Sequence, residues 1–91
     1  MNQTERRKAM TPSAWPERLD KLASWGLLRM ALTPLRDERQ RKLVILRHSF
    51  GLSWPAIRRE AARLGMPYSE RQLYRIYTQA LQVLEDLVRE R

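Results

Sequence analysis

A short polar run, Glu-Arg-Gln-Leu-Tyr-Arg at residues 70–75, combines side chains that can bind nucleic acid. Arginine can donate two parallel hydrogen bonds to a phosphate or to the O6 and N7 atoms of guanine, and glutamine can pair similarly with adenine. Glu70, Arg71, Gln72, Tyr74 and Arg75 could therefore read base edges and bind phosphates. The alternative is an ordinary solvated helix face that happens to be basic.

The charge of the chain is concentrated around this run. The 91 residues carry 18 Lys and Arg against 10 Asp and Glu, a formal net charge of +8. Residues 36–75 hold ten basic and four acidic side chains, whereas residues 76–91 hold two basic and three acidic ones. A charge that served only solubility would be spread evenly, so this distribution favours a nucleic-acid partner.

Residues that could form a catalytic or metal site are scarce. The chain has one histidine, His48, and no cysteine, so we interpret His48 as an ordinary helix residue. No phosphate-binding loop or nucleophile signature is present, and we expect no enzyme, no cofactor and no metal. The lack of cysteine suits a reducing compartment, so we expect a cytoplasmic protein. The N-terminal residues do not form a secretory signal, and no apolar run could span a membrane.

Helical periodicity predicts four helices in one all-α domain over residues 13–91, after a flexible basic arm over residues 1–12. The helices are expected at residues 13–32, 34–50, 54–64 and 70–89. Their predicted caps are Ser13, Thr33, Ser53 and Ser69. The inner face of the second helix should contain Leu35, Leu43, Leu46 and Phe50. That of the third should contain Trp54, Ile57, Ala61 and Leu64.

The third and fourth predicted helices have the arrangement of a helix-turn-helix, with the third as scaffold and the fourth as recognition helix. Gly65 tolerates the left-handed conformation that ends a helix, and Ala61 is small enough for a close crossing. Leu73 should be buried with Leu64 where the two helices cross. Gln72 lies three residues after Ser69, which predicts a capping box.

Residues 32–84 resemble the DNA-binding region 4 of sigma factors, and are similar to small helix-turn-helix proteins carried by phages and prophages. The shared features are a leucine-rich helix at residues 43–47, the sequence Gly-Leu-Ser-Trp at 51–54, Leu-Gly at 64–65, Ser69, and Ala-Leu at 80–81. The turn before Ser69 is two residues longer than is usual in that family.

The resemblance implies a role for each polar side chain. The base-reading residues would be Glu70, Arg71, Gln72, Arg75 and Thr78. The phosphate contacts would come from Arg39, Lys42, Arg58, Arg59, Arg63, Ser69 and Tyr74.

The sequence favours sequence-specific binding of double-stranded DNA by a small phage-type transcriptional regulator. We expect a homodimer or higher homo-oligomer, because one module of this size buries too little surface for strong site discrimination. The wide apolar face of the first helix and the leucine-rich tail after Ala80 are the available contact surfaces. Two alternatives stay open: a phage small terminase subunit that works with the large subunit, and an RNA polymerase-binding adaptor without its own DNA specificity.

Overall fold

Five α-helices make up most of residues 14–89, the part of the chain that the computed structural model describes. They are α1 (Trp15–Ser24), α2 (Leu28–Ala31), α3 (Glu38–Val44), α4 (Trp54–Arg63) and α5 (Glu70–Arg89), and α3 continues into a π-helical segment, Ile45–Ser49. No strand occurs within residues 14–89, and the all-α prediction is confirmed. The predicted arm and the cap Ser13 lie outside the described residues.

The first predicted helix is two helices, because Gly26 interrupts it. Gly26 has a φ of +74°. Its backbone N–H donates to the carbonyl of Ala23 (3.1 Å), and the N–H of Leu27 donates to that of Leu22 (2.9 Å). This pair of bonds is the Schellman motif that ends a helix. The prediction of four helices was therefore wrong, and α2 starts after the turn at Leu28.

The predicted start of the next helix was also wrong. The Thr33 hydroxyl donates to the carbonyl of Met30 (2.9 Å) and does not cap a helix. The helix α3 begins at Glu38, where the Asp37 carboxylate accepts a hydrogen bond of 2.9 Å from the backbone N–H of Arg39. Aspartate is a strong N-cap because it satisfies an N–H group that has no partner within the helix.

Both ends of α4 and the start of α5 agree with the sequence prediction. The Ser53 hydroxyl accepts from the N–H of Ala56, at 3.4 Å. Gly65, at φ +87°, ends α4 with the same Schellman pattern as Gly26. The predicted capping box is present: the Gln72 N–H donates to Ser69 Oγ (3.2 Å), and the Ser69 N–H donates to Gln72 Oε1 (3.0 Å).

The core forms where α5 packs against α3 and α4, and the π-helical segment packs against α1, α2 and α4. The largest fully buried side chains are Leu19, Leu32, Leu35, Leu43, Val44, Ile57 and Leu73. Two core residues predicted for the second and third helices are instead exposed: Phe50, by 62%, and Leu64, by 43%. Phe50 follows the wider π-helical turn, which shifts it off the expected face. Leu64 lies past the last turn of α4, and Met66 is buried in its place.

Candidate nucleic-acid interface

The outer side of α4 and the first turn of α5 form one continuous polar surface. Arg58 Nε lies 3.8 Å from Glu70 Oε2, which joins the middle of α4 to the N-terminus of α5. Beneath it, Ile57 and Ala61 of α4 and Leu73 of α5 are fully buried in the same core cluster. The apolar crossing therefore fixes how the charged side chains above it are presented.

Two of the five proposed base-reading residues are fully available on this surface. Arg71 and Arg75 are exposed, one turn apart on α5, and neither forms an ion pair with another described residue. Glu70 faces Arg58, and the Thr78 hydroxyl donates to the carbonyl of Arg75 at 3.0 Å. The structure thus brings all five residues to one helix but leaves only the two arginines without an internal partner among the described residues.

Gln72 has the least freedom of the five. Its side-chain oxygen accepts from both the N–H and the hydroxyl of Ser69, at 3.0 Å and 3.3 Å. Bidentate pairing with adenine needs both the amide oxygen and the amide nitrogen. Reading adenine would therefore break the capping box that starts α5.

The proposed phosphate-binding residues are mostly held in surface ion pairs. Arg39 pairs with Asp37 (2.9 Å), Lys42 with Glu38 (3.3 Å) and Arg63 with Glu60 (3.0 Å), in addition to Arg58 with Glu70. Arg59 is exposed and has no ion pair among the described residues. Exposed ion pairs are weak, typically below about 1 kcal/mol, so a phosphate can replace the carboxylate partner.

Not all of these residues lie beside α5. Asp37 and, after it, Tyr68 raise the pKa of Arg39, because both side chains lie beside its guanidinium at the turn that leads into α5. Lys42 instead lines a hollow of about 450 Å³ between α2 and α3, together with Arg29, Thr33 and Arg41. The structure therefore groups Arg39 with the α4–α5 surface and places Lys42 in a second basic region.

An aromatic cluster supports the N-terminal turns of α5. The ring of Trp54, at the start of α4, packs edge-on against Tyr74 (centroids 5.3 Å apart) and Tyr77 (5.2 Å). The guanidinium of Arg47 lies over the Trp54 ring, 5.8 Å from its centroid. Tyr77 is buried, whereas Tyr74 is 53% exposed. The cluster couples α4, α5 and the π-helical segment directly under the basic surface.

A hydrogen-bonded chain through His48 was not predicted. His48 Nδ1 lies 2.7 Å from Asp20 Oδ1, and His48 Nε2 lies 2.7 Å from the Tyr77 hydroxyl. Because a carboxylate can only accept, Nδ1 donates to Asp20, and the remaining nitrogen, Nε2, is hydrogen-bonded to the Tyr77 hydroxyl. The chain connects α1, the π-helical segment and α5, and the histidine side chain is only 4% exposed. No sequence signal joins residues about thirty positions apart.

The hydrogen-bonded chain through His48 contains the carboxylate and the histidine of a catalytic triad, but its third member is Tyr77 and not a serine or cysteine. In such triads the second ring nitrogen activates a serine or cysteine. Here a buried tyrosine takes that place, and the adjoining cavity, of about 440 Å³, is lined by Trp54, Tyr74 and Arg47. These hydrogen bonds hold α5 against α1 and the π-helical segment.

The buried Tyr77 gives a testable pH dependence. Burial raises its pKa from 10.0 to about 12, and the nearby charge of Arg47 opposes the rise. Stability from this group is therefore complete below pH 10 and is lost as the pH rises towards 12. An ultraviolet titration should show a late tyrosine step that Tyr77→Phe removes and Tyr74→Phe retains. A late step that survives in Tyr77→Phe would contradict the burial.

Residues 14–89 contain no group of three or more His, Asp or Glu side chains arranged to hold a metal ion. None of the helices there combines the length and apolar composition needed to cross a bilayer.

Comparison with protein-family models, curated proteins and solved structures finds no match. The interpretation of the surface therefore depends on its geometry and charge.

Proposed function

We propose that this protein binds double-stranded DNA sequence-specifically, with α4 and α5 as a helix-turn-helix and α5 as its recognition helix. One observation carries the proposal: the exposed Arg71 and Arg75 lie on the first turns of a helix whose start is fixed by a capping box. Two arginines one turn apart match the spacing at which a helix reaches base edges in the major groove. A small transcriptional regulator of the phage type is the role this arrangement suits best.

The surrounding charge supports the proposal. Arg58 on α4 contacts the first turn of α5 through Glu70, Arg59 and Arg63 add positive charge further along α4, and Arg39 adds a fourth positive group near the turn. Such a rim would bind phosphates on either side of the groove and orient the helix without reading sequence. The ion pairs to Asp37, Glu60 and Glu70 limit repulsion among these groups in the free protein.

The experiment is a titration of the protein against random-sequence duplex DNA at several salt concentrations, followed by selection of preferred sites from the pool. Binding should weaken linearly in a log–log plot against salt, because bound phosphates release counterions. Selected sites should bind more tightly than the pool. The absence of duplex binding even at low salt would refute the function, and a polymerase contact that survives high salt would favour the adaptor.

We also propose that the protein acts as a homodimer through an apolar face distant from the arginines. Trp25 and Met30 are 65% and 71% exposed near the α1–α2 turn. A hollow of about 350 Å³ lies between α1, the region after α2 and the C-terminal turns of α5, where Leu87 and Val88 line it. Along α5, Val88 is roughly 25 Å from Arg71 at 1.5 Å per residue, so dimerisation leaves the arginines free.

Light scattering at high micromolar concentration should show a dimer that Val88→Asp converts to monomer, because the new carboxylate would be buried in the apolar contact. Val83→Asp is the matched control, since Val83 is also exposed on α5 but does not line the hollow. A monomeric wild-type protein, or equal effects of the two changes, would rule out this interface. A ring-shaped assembly in native mass measurements would favour the terminase alternative.

A further inference from the structure

We propose that Tyr74, supported by Trp54, reads the 5-methyl group of a thymine next to the bases contacted by Arg71 and Arg75. The inference deepens the proposed DNA recognition and rests on it. It gives Tyr74 a contact with a base through its ring, in place of the phosphate contact through its hydroxyl that the family resemblance implies.

The position of Tyr74 on α5 carries the first step. Tyr74 lies three residues after Arg71, so the two side chains are neighbours on one face of α5, and Arg75 borders Arg71 on its other side, one turn further along. More than half of this aromatic side chain is exposed, although the chain has a core that buries Tyr77 one turn later. An exposed ring among charged groups offers an apolar contact surface to a ligand that binds there.

The ring is also fixed in orientation. Trp54 meets it edge-on at 78°, and Tyr77 lies beneath with its centroid 6.1 Å away. Trp54 is itself covered by the guanidinium of Arg47. A side chain held from two sides loses little conformational entropy when a ligand binds, which favours a specific contact.

The rings border a shallow hollow suited to a small apolar group. Trp54 and Tyr74 line it together with Glu70 and Arg71, at the N-terminal end of α5. In the major groove, the 5-methyl group of thymine is the apolar group that distinguishes one base from the other three. Because an arginine borders the same hollow, the thymine would lie beside a guanine.

The hydrogen bonds of Gln72 disfavour adenine recognition by α5 and leave thymine as the base that an apolar contact can distinguish. Its amide oxygen is occupied in the capping box, so the usual bidentate pairing with adenine is blocked. The neighbouring side chains without a polar partner among the described residues are two arginines and one aromatic ring, since Glu70 faces Arg58. Guanine and thymine are the bases that such a set can distinguish.

The test uses duplexes carrying the site selected from the random pool, with each thymine replaced in turn by deoxyuridine, which lacks only the methyl group. At one thymine adjacent to guanine, wild-type protein should lose about fourfold in affinity, because the contact no longer buries one methyl group. Tyr74→Phe keeps the ring and should show the same loss. Tyr74→Ala should bind the thymine and deoxyuridine duplexes equally, while its melting temperature reports that the fold is retained.

Several outcomes would overturn the inference while leaving DNA binding intact. One is a selected site without thymine or without any sensitivity to deoxyuridine. Another is a sensitivity that persists in Tyr74→Ala. A third is a Tyr74→Phe variant that weakens specific and random duplexes alike, which would assign the hydroxyl to a phosphate. Tighter binding to a single strand of the same sequence would show that the ring stacks on unpaired bases. Failure to bind any duplex would instead remove the proposed function, and this inference with it.

Discussion

Replacing Leu73 by alanine should lower the free energy of unfolding by about 2–5 kcal/mol. Leu73 is fully buried where α5 crosses α4, next to Ile57 and Ala61 in the core cluster. The change removes apolar contacts and leaves a cavity that the backbone of two capped helices has little freedom to close. Chemical denaturation monitored by circular dichroism measures the loss directly.

Leu64→Ala is a matched control for this prediction. The chemical change is the same and the residue also lies near the crossing, but Leu64 is 43% exposed at the end of α4. Its replacement should alter stability by no more than about 1 kcal/mol, as for other surface substitutions. Equal losses in the two variants, or an unchanged stability of Leu73→Ala, would contradict the packing of α4 against α5.

Helix boundaries were predictable where a local signal coincided with a break in the apolar period. Gly65 and Ser69 stand between two separate apolar stripes, and both act as predicted. Gly26 forms the same kind of helix end as Gly65, but Leu22, Leu28 and Leu32 continue the helical spacing across it. The apolar period therefore did not reveal the turn at Gly26, because the residues on both sides of a tight turn can pack into the same core.

The start of α3 shows the opposite error. Thr33-Pro34 is a common helix-start pattern, yet the helix begins four residues later at the Asp37 cap. Leu35 is fully buried before that start, and the side chain of Arg41 donates to its carbonyl. Tertiary packing of one leucine therefore decided a boundary that local preferences left open.

The polar network was beyond the reach of sequence periodicity. The π-helical segment changes which side chains face inwards after Ile45, and it brings His48 between Asp20 and Tyr77. The apolar pattern cannot distinguish an α-helical from a π-helical turn at this point, because Leu46 would be buried in either one. The burial of Tyr77 follows from the apolar period of α5, but its polar partner does not.

The candidate site was predictable as a surface but not in its details. Exposure of Arg71 and Arg75 follows from the amphipathic period of α5. The capping box and base reading by Gln72 were both expected from the sequence, but they need the same amide oxygen. The structure shows that the capping box takes this oxygen, which removes Gln72 from the residues expected to read bases.

The two arginines should differ from Arg59 in what their loss does to DNA binding. A base-reading arginine discriminates the correct base by about 1–3 kcal/mol, so Arg71→Ala and Arg75→Ala should weaken the selected site more than random duplex. Arg59 lies on α4 and is exposed. Its replacement by alanine should weaken both duplexes alike and lower the salt slope by about one.

Titration of labelled selected and random duplexes at several salt concentrations separates these effects, because each variant removes one positive charge. The shared loss of charge weakens random binding in all three variants, and only a lost base contact adds a further loss at the selected site. Since Arg71 and Arg75 have no ion-pair partner among the described residues, neither change leaves a carboxylate unpaired there. If Arg71→Ala and Arg75→Ala leave both affinities at the wild-type values, the N-terminal turns of α5 are an ordinary solvated face and the major-groove proposal is wrong.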